Sequence, residues 1–200
     1  MNPIYHNAAF MLSAVNLKHA PAEYGAEVAF AGRSNSGKSS AINAITGQNK
    51  LARVSKTPGR TQCINFFSVT EERRIVDLPG YGYAKVAESV KQQWQKLLQN
   101  YLHSRMSLKG LILVMDIRHP LTDFDSQMLA WCQFNSLPVH ILLTKCDKLN
   151  KGPANETLRR VRDELGRKNI EATLQLFSAQ KFIGIDEVHQ VLDHWLGITK

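Results

Sequence analysis

The sequence predicts an α/β domain: one doubly wound, mostly parallel sheet with an antiparallel edge pair and helices on both faces. Three observations predict it. Apolar runs of strand length alternate with segments of helical periodicity along the chain. Two of these runs, GLILVMD (110–116) and PVHILLT (138–144), are nearly continuous in apolar residues, the pattern of strands covered on both faces. No linker or low-complexity segment interrupts the series, and 200 residues suffice for one domain, 1–200, with 1–25 as an N-terminal extension packing on it.

The elements follow in order. The apolar run Ala8 to Val15 is too short and too little preceded by basic residues for a signal peptide, and reads as an early strand. EVAFAG (27–32) is a short buried strand that runs into a glycine. KSSAINAIT (38–46) carries Ile42 and Ile45 at helical spacing, and Gly47 supplies the stop. INFFSV (64–69) and RRIVDL (73–78) flank a polar TEE, which predicts an antiparallel pair. Val90, Trp94, Leu97, Leu98 and Tyr101 share one helical face. After the strand 110–116, Phe124, Met128, Trp131 and Cys132 line a helix, and the strand 138–144 follows. Ala154, Leu158, Val161 and Leu165 line the next helix, ATLQLFS (172–178) is the last strand, and Ile185, Val188, Leu192 and Trp195 face the core from a final helix. In such a sheet ligands gather at the carboxyl ends of the strands.

Composition narrows the function classes. With 44% apolar residues, and no run near the ~18 a membrane helix requires, no membrane partner is expected. Three cysteines, Cys63, Cys132 and Cys146, form no C-x-x-C pair, which argues against a disulfide framework or zinc site and for the reducing cytoplasm. A net charge of +8 favours acidic partners, nucleic acid first.

GRSNSGKSS (32–40) contains G-x-x-x-x-G-K-S between a strand and a helix. Gly32 and Gly37 let the backbone turn without a Cβ, so N–H groups across Arg33, Ser34, Asn35 and Ser36 can point at phosphate oxygens. The helix N-terminus adds its dipole. Lys38 is placed to reach the outer phosphates and Ser39 to offer a hydroxyl to Mg²⁺.

TKCD (144–147) selects the base. Thr144, Lys145, Cys146 and Asp147 leave a buried strand at the same sheet edge. An Asp147 carboxylate accepts two N–H donors from guanine that adenine lacks, and an unpaired buried carboxylate penalises ATP. The Lys145 stem can lie on the base. In Phe177, Ser178 and Ala179, a backbone N–H can meet the guanine O6. DLPG, with Asp77, Leu78, Pro79 and Gly80, places a carboxylate for water-mediated Mg²⁺ contact and an N–H for the γ-phosphate. TPGRT (57–61) is a turn and a candidate switch, in which Thr61, with Thr57 as the alternative, offers the second Mg²⁺ hydroxyl.

These segments resemble the EngB family within the TRAFAC GTPases. AFAGRSNSGKSS, KTPGRTQCINFF, VDLPGYGYA, MDIRHPLTDFD, LLTKCDK and FSA carry the resemblance from about residue 20 to 180. It implies a Ras-like P-loop GTPase fold, binding of GTP/GDP and Mg²⁺, and slow GTP hydrolysis. The nucleotide site then includes Gly59, Arg60, Thr61, Gln62 and Cys63, with Ser39 and Thr61 on the metal and Lys38, Thr61 and Gly80 serving catalysis. It further implies a monomer acting in assembly of the large ribosomal subunit or on its rRNA, with a link to division and septation.

Several readings stay open on the residues themselves. Tyr81 stands where many small GTPases carry a water-orienting Gln. Asn35 either binds K⁺, supplying positive charge to the transition state, or hydrogen-bonds across the loop. Arg33 is read as exposed or partner-facing, and His119 as serving its loop. Arg159, Arg160, Arg162, Arg167 and Lys168 form either an rRNA-facing surface or a solvated helix face. The alternative to an assembly GTPase is an RNA-binding assembly module in which GTP is mainly structural. Action on a division protein finds no coiled coil or polymerisation feature in support, and a kinase is disfavoured by Asp147.

Overall fold

A computed structural model describes residues 2–52, 63–81 and 88–199. Seven strands form one sheet in the order β1-β3-β4-β2-β5-β6-β7: β1 Ala9–Ala14, β2 Ala26–Gly32, β3 Ile64–Ser68, β4 Arg73–Asp77, β5 Leu108–Asp116, β6 Val139–Thr144 and β7 Thr173–Leu176. Five helices accompany them: α1 Lys38–Thr46, α2 Glu88–Ser104, α3 Asp123–Phe134, α4 Lys151–Arg167 and α5 Ile185–Leu196. β2 pairs in parallel with both β4 and β5, and β6 and β7 continue the parallel series. The expected antiparallel edge is the pair β3–β4, with Phe66 opposite Val76. β1, within the apolar run Ala8 to Val15, adds to it antiparallel to β3, so this part of the N-terminal extension pairs as an edge strand of the sheet. Phe10 meets Phe67 edge-on across that pairing, which gives the outer strand an apolar hold.

Strand alternation distributes the core between the two faces. Ala29 and Ala31 of β2 and Leu111, Leu113 and Met115 of β5 join Leu98 and Tyr101 of α2, Met128 and Cys132 of α3, and Val161 and Leu165 of α4. Their neighbours Val28, Phe30, Ile112 and Val114 face the other way, against Ile42 and Ile45 of α1 and Val188 and Leu192 of α5. The central strands β2 and β5 are therefore apolar on both sides over most of their length, which explains the nearly unbroken apolar runs. Trp131 packs partly buried on the first layer and Trp195 on the second, while the side chains of Val90 and Trp94 lie outside the described residues. No helix among the described residues is long and apolar enough to cross a membrane.

One polar insertion in β6 has a measurable consequence. His140 is buried, with Nδ1 2.7 Å from Thr173 Oγ1 and Nε2 2.9 Å from Gln175 Oε1. Burial holds its pKa below the ordinary 6.5. Because the folded pKa is depressed, the unfolded chain takes up the proton first as pH falls below 6.5. Stability should decline on acidification from that point, by up to about 1.4 kcal/mol per pH unit for one such histidine. Denaturation midpoints of the wild type and His140→Gln at pH 7.5, 6.5 and 5.5 read this directly. The slope should be shallower in the variant; an equal slope assigns the dependence elsewhere.

Candidate functional site

The phosphate loop lies between β2 and α1, where the sheet's connections diverge from β2 towards β4 on one side and β5 on the other. Gly32 is required there by close approach. A Cβ on it would stand 2.6 Å from the Val114 carbonyl oxygen and 2.7 Å from Ser36 Oγ. Gly37 caps α1 with φ 98°, a conformation that disfavours any side chain. The helical ladder starts at Ala41 N–H, which donates to Gly37 O at 2.8 Å. The N–H groups of Lys38, Ser39 and Ser40 are thus first-turn donors without an intrahelical acceptor, at the positive end of α1. Arg33, Ser34, Asn35, Gly37, Lys38 and Ser39 line a cleft of about 930 Å³. Ser36 is buried and its hydroxyl has no hydrogen-bond partner among the described residues.

The ends of three other strands support this loop. Asp77, at the end of β4, lines the cleft with Leu78, Pro79 and Gly80, and Cys63 and Lys145 border it too. The Lys38 ammonium rests on Asp77 Oδ1, so the lysine is drawn towards the β4 carboxylate in this conformation. The two opposite charges offset one another at the cleft floor, each nearly buried. At the end of β6, Thr144 Oγ1 lies within hydrogen-bond reach of both Ser36 O and Met115 O, and its single proton ties the loop to β5 and β6. Lys145 takes a left-handed backbone conformation, φ 59°, and its ammonium donates to Asn35 O at 2.6 Å and Asp116 Oδ2 at 2.9 Å.

Asp116 is the residue that motif reading passed over, although it stands in the quoted MDIRHP. It ends β5, accepts from Arg118 Nη2 at 2.7 Å as well as from Lys145, and so fixes the lysine stem beside the loop. Burial alone would raise its pKa, but the bonds from Arg118 and Lys145 outweigh that and hold the carboxyl well below the usual range. The signal that could have found it is positional: an acid at a strand's carboxyl end, level with the phosphate loop.

Beyond Lys145 the chain makes a short 3-10 turn, Cys146–Lys148. Asp147 accepts a 2.6 Å bond from Ser178 Oγ, and this bond leads the effects that lower its pKa, so the side chain stands as an ionised acceptor. Cys146 N–H donates to Phe177 O at 3.2 Å, which sets the two loops side by side. Burial pushes the Cys146 thiol up, against the alkylation sensitivity its location suggests. Ala179 is half-buried at the head of the same loop. Asp147, Ser178 and Ala179 do not line the phosphate cleft, whereas Lys145 does.

Other expectations resolve individually. Tyr81 is buried at 2% exposure, and its hydroxyl donates to Asp125 Oδ1 at 2.8 Å. Its carbonyl accepts from Ser34 N–H at 2.8 Å. The tyrosine therefore anchors the DLPG turn to the phosphate loop and α3, with its side chain in the core and away from the cleft. The Asn35 side chain makes no hydrogen bond with a described residue; the bond across the loop runs through its carbonyl. Arg33 and His119 are exposed. Thr57, Gly59, Arg60, Thr61 and Gln62 lie outside the described residues, as does the segment 82–87. No group of His, Cys, Asp and Glu among the described residues is arranged to hold a metal by itself.

The family model described as a 50S ribosome-binding GTPase matches residues 27–145. The chain is 55% identical over 195 residues to the probable GTP-binding protein EngB of Hydrogenovibrio crunogenus, covering 98% of this chain and 92% of that protein. It is also 55% identical over 194 residues to the probable GTP-binding protein EngB of Photorhabdus laumondii subsp. laumondii, covering 97% and 92%. Among solved structures, the crystal structure of a probable GTP-binding protein EngB superposes with a TM-score of 0.70 at 20% identity, over 87% of this chain and all of that one. Era in complex with MgGDPNP and nucleotides 1506–1542 of 16S ribosomal RNA gives 0.66 at 20% identity, over 87% of this chain and 57% of that one, a likeness of fold. Identity above half over nearly the whole length places this chain in the EngB family of GTP-binding proteins, and it is a P-loop GTPase.

Proposed function

We propose that this GTPase is a nucleotide-dependent assembly factor for the large ribosomal subunit, held on its rRNA in the GTP state and released on hydrolysis, and that normal division and septation depend on it. Nucleotide can control such a cycle through unequal affinity of the two states for the partner. The observation that most supports an RNA-rich partner is charge. The chain carries +8, and Arg159, Arg160 and Arg162 stand exposed on α4 with no ion pair to a described residue. Arg167 and Lys168 share the single carboxylate of Glu164, so that cluster adds a net single positive charge to the three arginines. The description of the matching family model, a 50S ribosome-binding GTPase, points the same way.

At the site, the free first-turn N–H groups of α1 and the orphaned Ser36 hydroxyl suit an oxygen-rich ligand such as the GTP phosphates. The Asp147 carboxylate suits the N–H pair of guanine, and the Lys145 stem suits its ring face. Ser39 and Asp77, both on the cleft, fit Mg²⁺, with Thr61 as the further hydroxyl. Mg²⁺, when bound, neutralises charge building on the phosphate oxygens. The Lys38 ammonium, now on Asp77, is the cation this chain itself offers to those oxygens. Gly80 lines the same cleft and offers a backbone N–H. Hydrolysis is slow in this reading, because the Tyr81 side chain is locked in the core and orients no water. K⁺ beside the unengaged Asn35 amide is a compatible source of extra charge, and turnover in KCl against NaCl reads it.

The buried Tyr81 also favours the second reading, a ribosome- or RNA-binding module in which GTP is structural. Co-sedimentation with purified large subunits separates the two. Salt is held constant, because a cationic protein adheres to RNA by counterion release. Retention several-fold higher with a non-hydrolysable GTP analogue than with GDP is the expected result. Equal retention with the analogue, GDP and no nucleotide sinks the release cycle.

A further inference from the structure

We propose that the loop 178–183 presents Phe182 as an aromatic anchor that stacks on an unpaired base of the RNA partner; this rests on the ribosomal reading above. Phe182 is 62% exposed and its neighbour Ile183 44%. Phe182 adopts φ 53°, the left-handed region that a bulky residue seldom occupies. The loop holding it is closed rigidly. Ser178 N–H donates to Ile183 O at 3.0 Å, Ile183 N–H returns a bond to Ser178 O at 3.1 Å, and Lys181 N–H donates to Ser178 Oγ at 3.1 Å. Its base is pinned to β7, where Gln175 Nε2 donates to Gly184 O at 2.7 Å. The ring is thus held out in solvent by a preorganised loop, and no described aromatic packs on it.

The surroundings favour RNA over a protein groove. Lys181 precedes the ring in sequence and is exposed, and Lys148, half exposed, donates to Gln180 Oε1 of the same loop at 3.3 Å while its ammonium also lies 3.4 Å from Asp147 Oδ2. Lysines beside an aromatic suit a phosphate backbone with a splayed base, whereas protein interface cores are depleted in lysine. Asp186 and Glu187 come next, in the first turn of α5, where the helix dipole offsets their charge. The same Ser178 hydroxyl that accepts from Lys181 N–H donates to Asp147 Oδ1. An RNA grip on Phe182 would therefore be one hydroxyl removed from the candidate guanine-reading carboxylate.

The test uses the full chain saturated with a non-hydrolysable GTP analogue, titrated by fluorescence anisotropy against a 12-nucleotide single-stranded oligoadenylate and against an RNA duplex of the same length. Phe182→Ala should weaken single-strand binding roughly 5- to 150-fold. Phe182→Trp should restore it. Duplex binding and GTP affinity should stay unchanged in both variants. No measurable binding of the wild type to the single strand, or equal binding by Phe182→Ala, overturns the proposal. Loss of large-subunit binding in Phe182→Ala with oligoadenylate binding intact also overturns it, in favour of a protein partner. Failure of nucleotide-selective co-sedimentation strikes the release cycle instead and leaves these RNA titrations to be judged separately.

Discussion

Asp147→Asn is expected to lower GTP affinity by roughly 10²- to 10³-fold while leaving the fold intact. The Asp147 side chain is 9% exposed, and its carboxylate already accepts a bond from Ser178 Oγ. Its remaining lone pairs are what a guanine, with adjacent N–H donors, would meet. An Asn at this position has a single acceptor oxygen and a donor amide. If the oxygen keeps the Ser178 bond, the amide faces guanine donors; if it turns, the amide faces the Ser178 hydroxyl. Either way the side chain offers one acceptor oxygen where Asp147 offers two, so guanine loses a full acceptor for one of its two N–H donors. Xanthine nucleotides carry a carbonyl where guanine has its amine, so their affinity should rise in the same variant. Fluorescent-nucleotide titration with both bases decides the matter. Unchanged GTP affinity would remove Asp147 from base recognition, and a general loss without xanthine rescue would point to damage of the loop.

Glu27→Ala is expected to cost about 3–5 kcal/mol of stability, a large share of the ~5–15 kcal/mol that holds a typical domain. Glu27 is the second residue of β2, at the end of the strand opposite the phosphate loop, and has no exposed surface. Its Oε1 accepts from Arg74 Nη1 at 3.0 Å and Arg105 Nη2 at 2.7 Å, and its Oε2 accepts from Arg105 Nε at 3.0 Å and Tyr101 OH at 3.3 Å. Arg74 is fully buried too, with Nε and Nη2 lacking partners among the described residues and its guanidinium stacked 4.4 Å from the Tyr24 ring centre. Removing the one carboxylate leaves two guanidinium groups out of water and uncompensated, which is far costlier than losing a surface pair. Urea unfolding should show a lower midpoint at similar slope. GTP affinity of the folded fraction should hold, because the cluster sits at the far end of β2 and β5. A loss under 1 kcal/mol would mean that water or Glu23, 3.6 Å from Arg105 Nη1, takes over the charge.

The architecture was legible because its signals are local. Apolar runs of strand length, helical spacing of residues such as Ala154, Leu158, Val161 and Leu165, and glycines at turns each report on backbone within a few residues. The phosphate loop and TKCD could be assigned to one sheet edge for the same reason: each follows a parallel strand, and parallel strands end together. The sheet brings the ends of β2, β4, β5 and β6 there. Membership of the EngB family was also carried by linear motifs, and comparison at 55% identity supports it.

What the sequence determined by itself is thus the fold class, the edge at which the motifs meet and the family. The tertiary structure decided the rest: that Tyr81 turns into the core onto Asp125, that Asp116 steers Lys145, that Lys38 rests on Asp77, that Glu27 pairs with two distant arginines, and that Phe182 stands largely exposed. In the first four cases the partners are between 29 and 78 positions apart in the chain. Neither periodicity nor motif spacing encodes such pairings. They follow from which side chains the sheet order brings within hydrogen-bond reach, and from the cost of leaving any of them buried and alone.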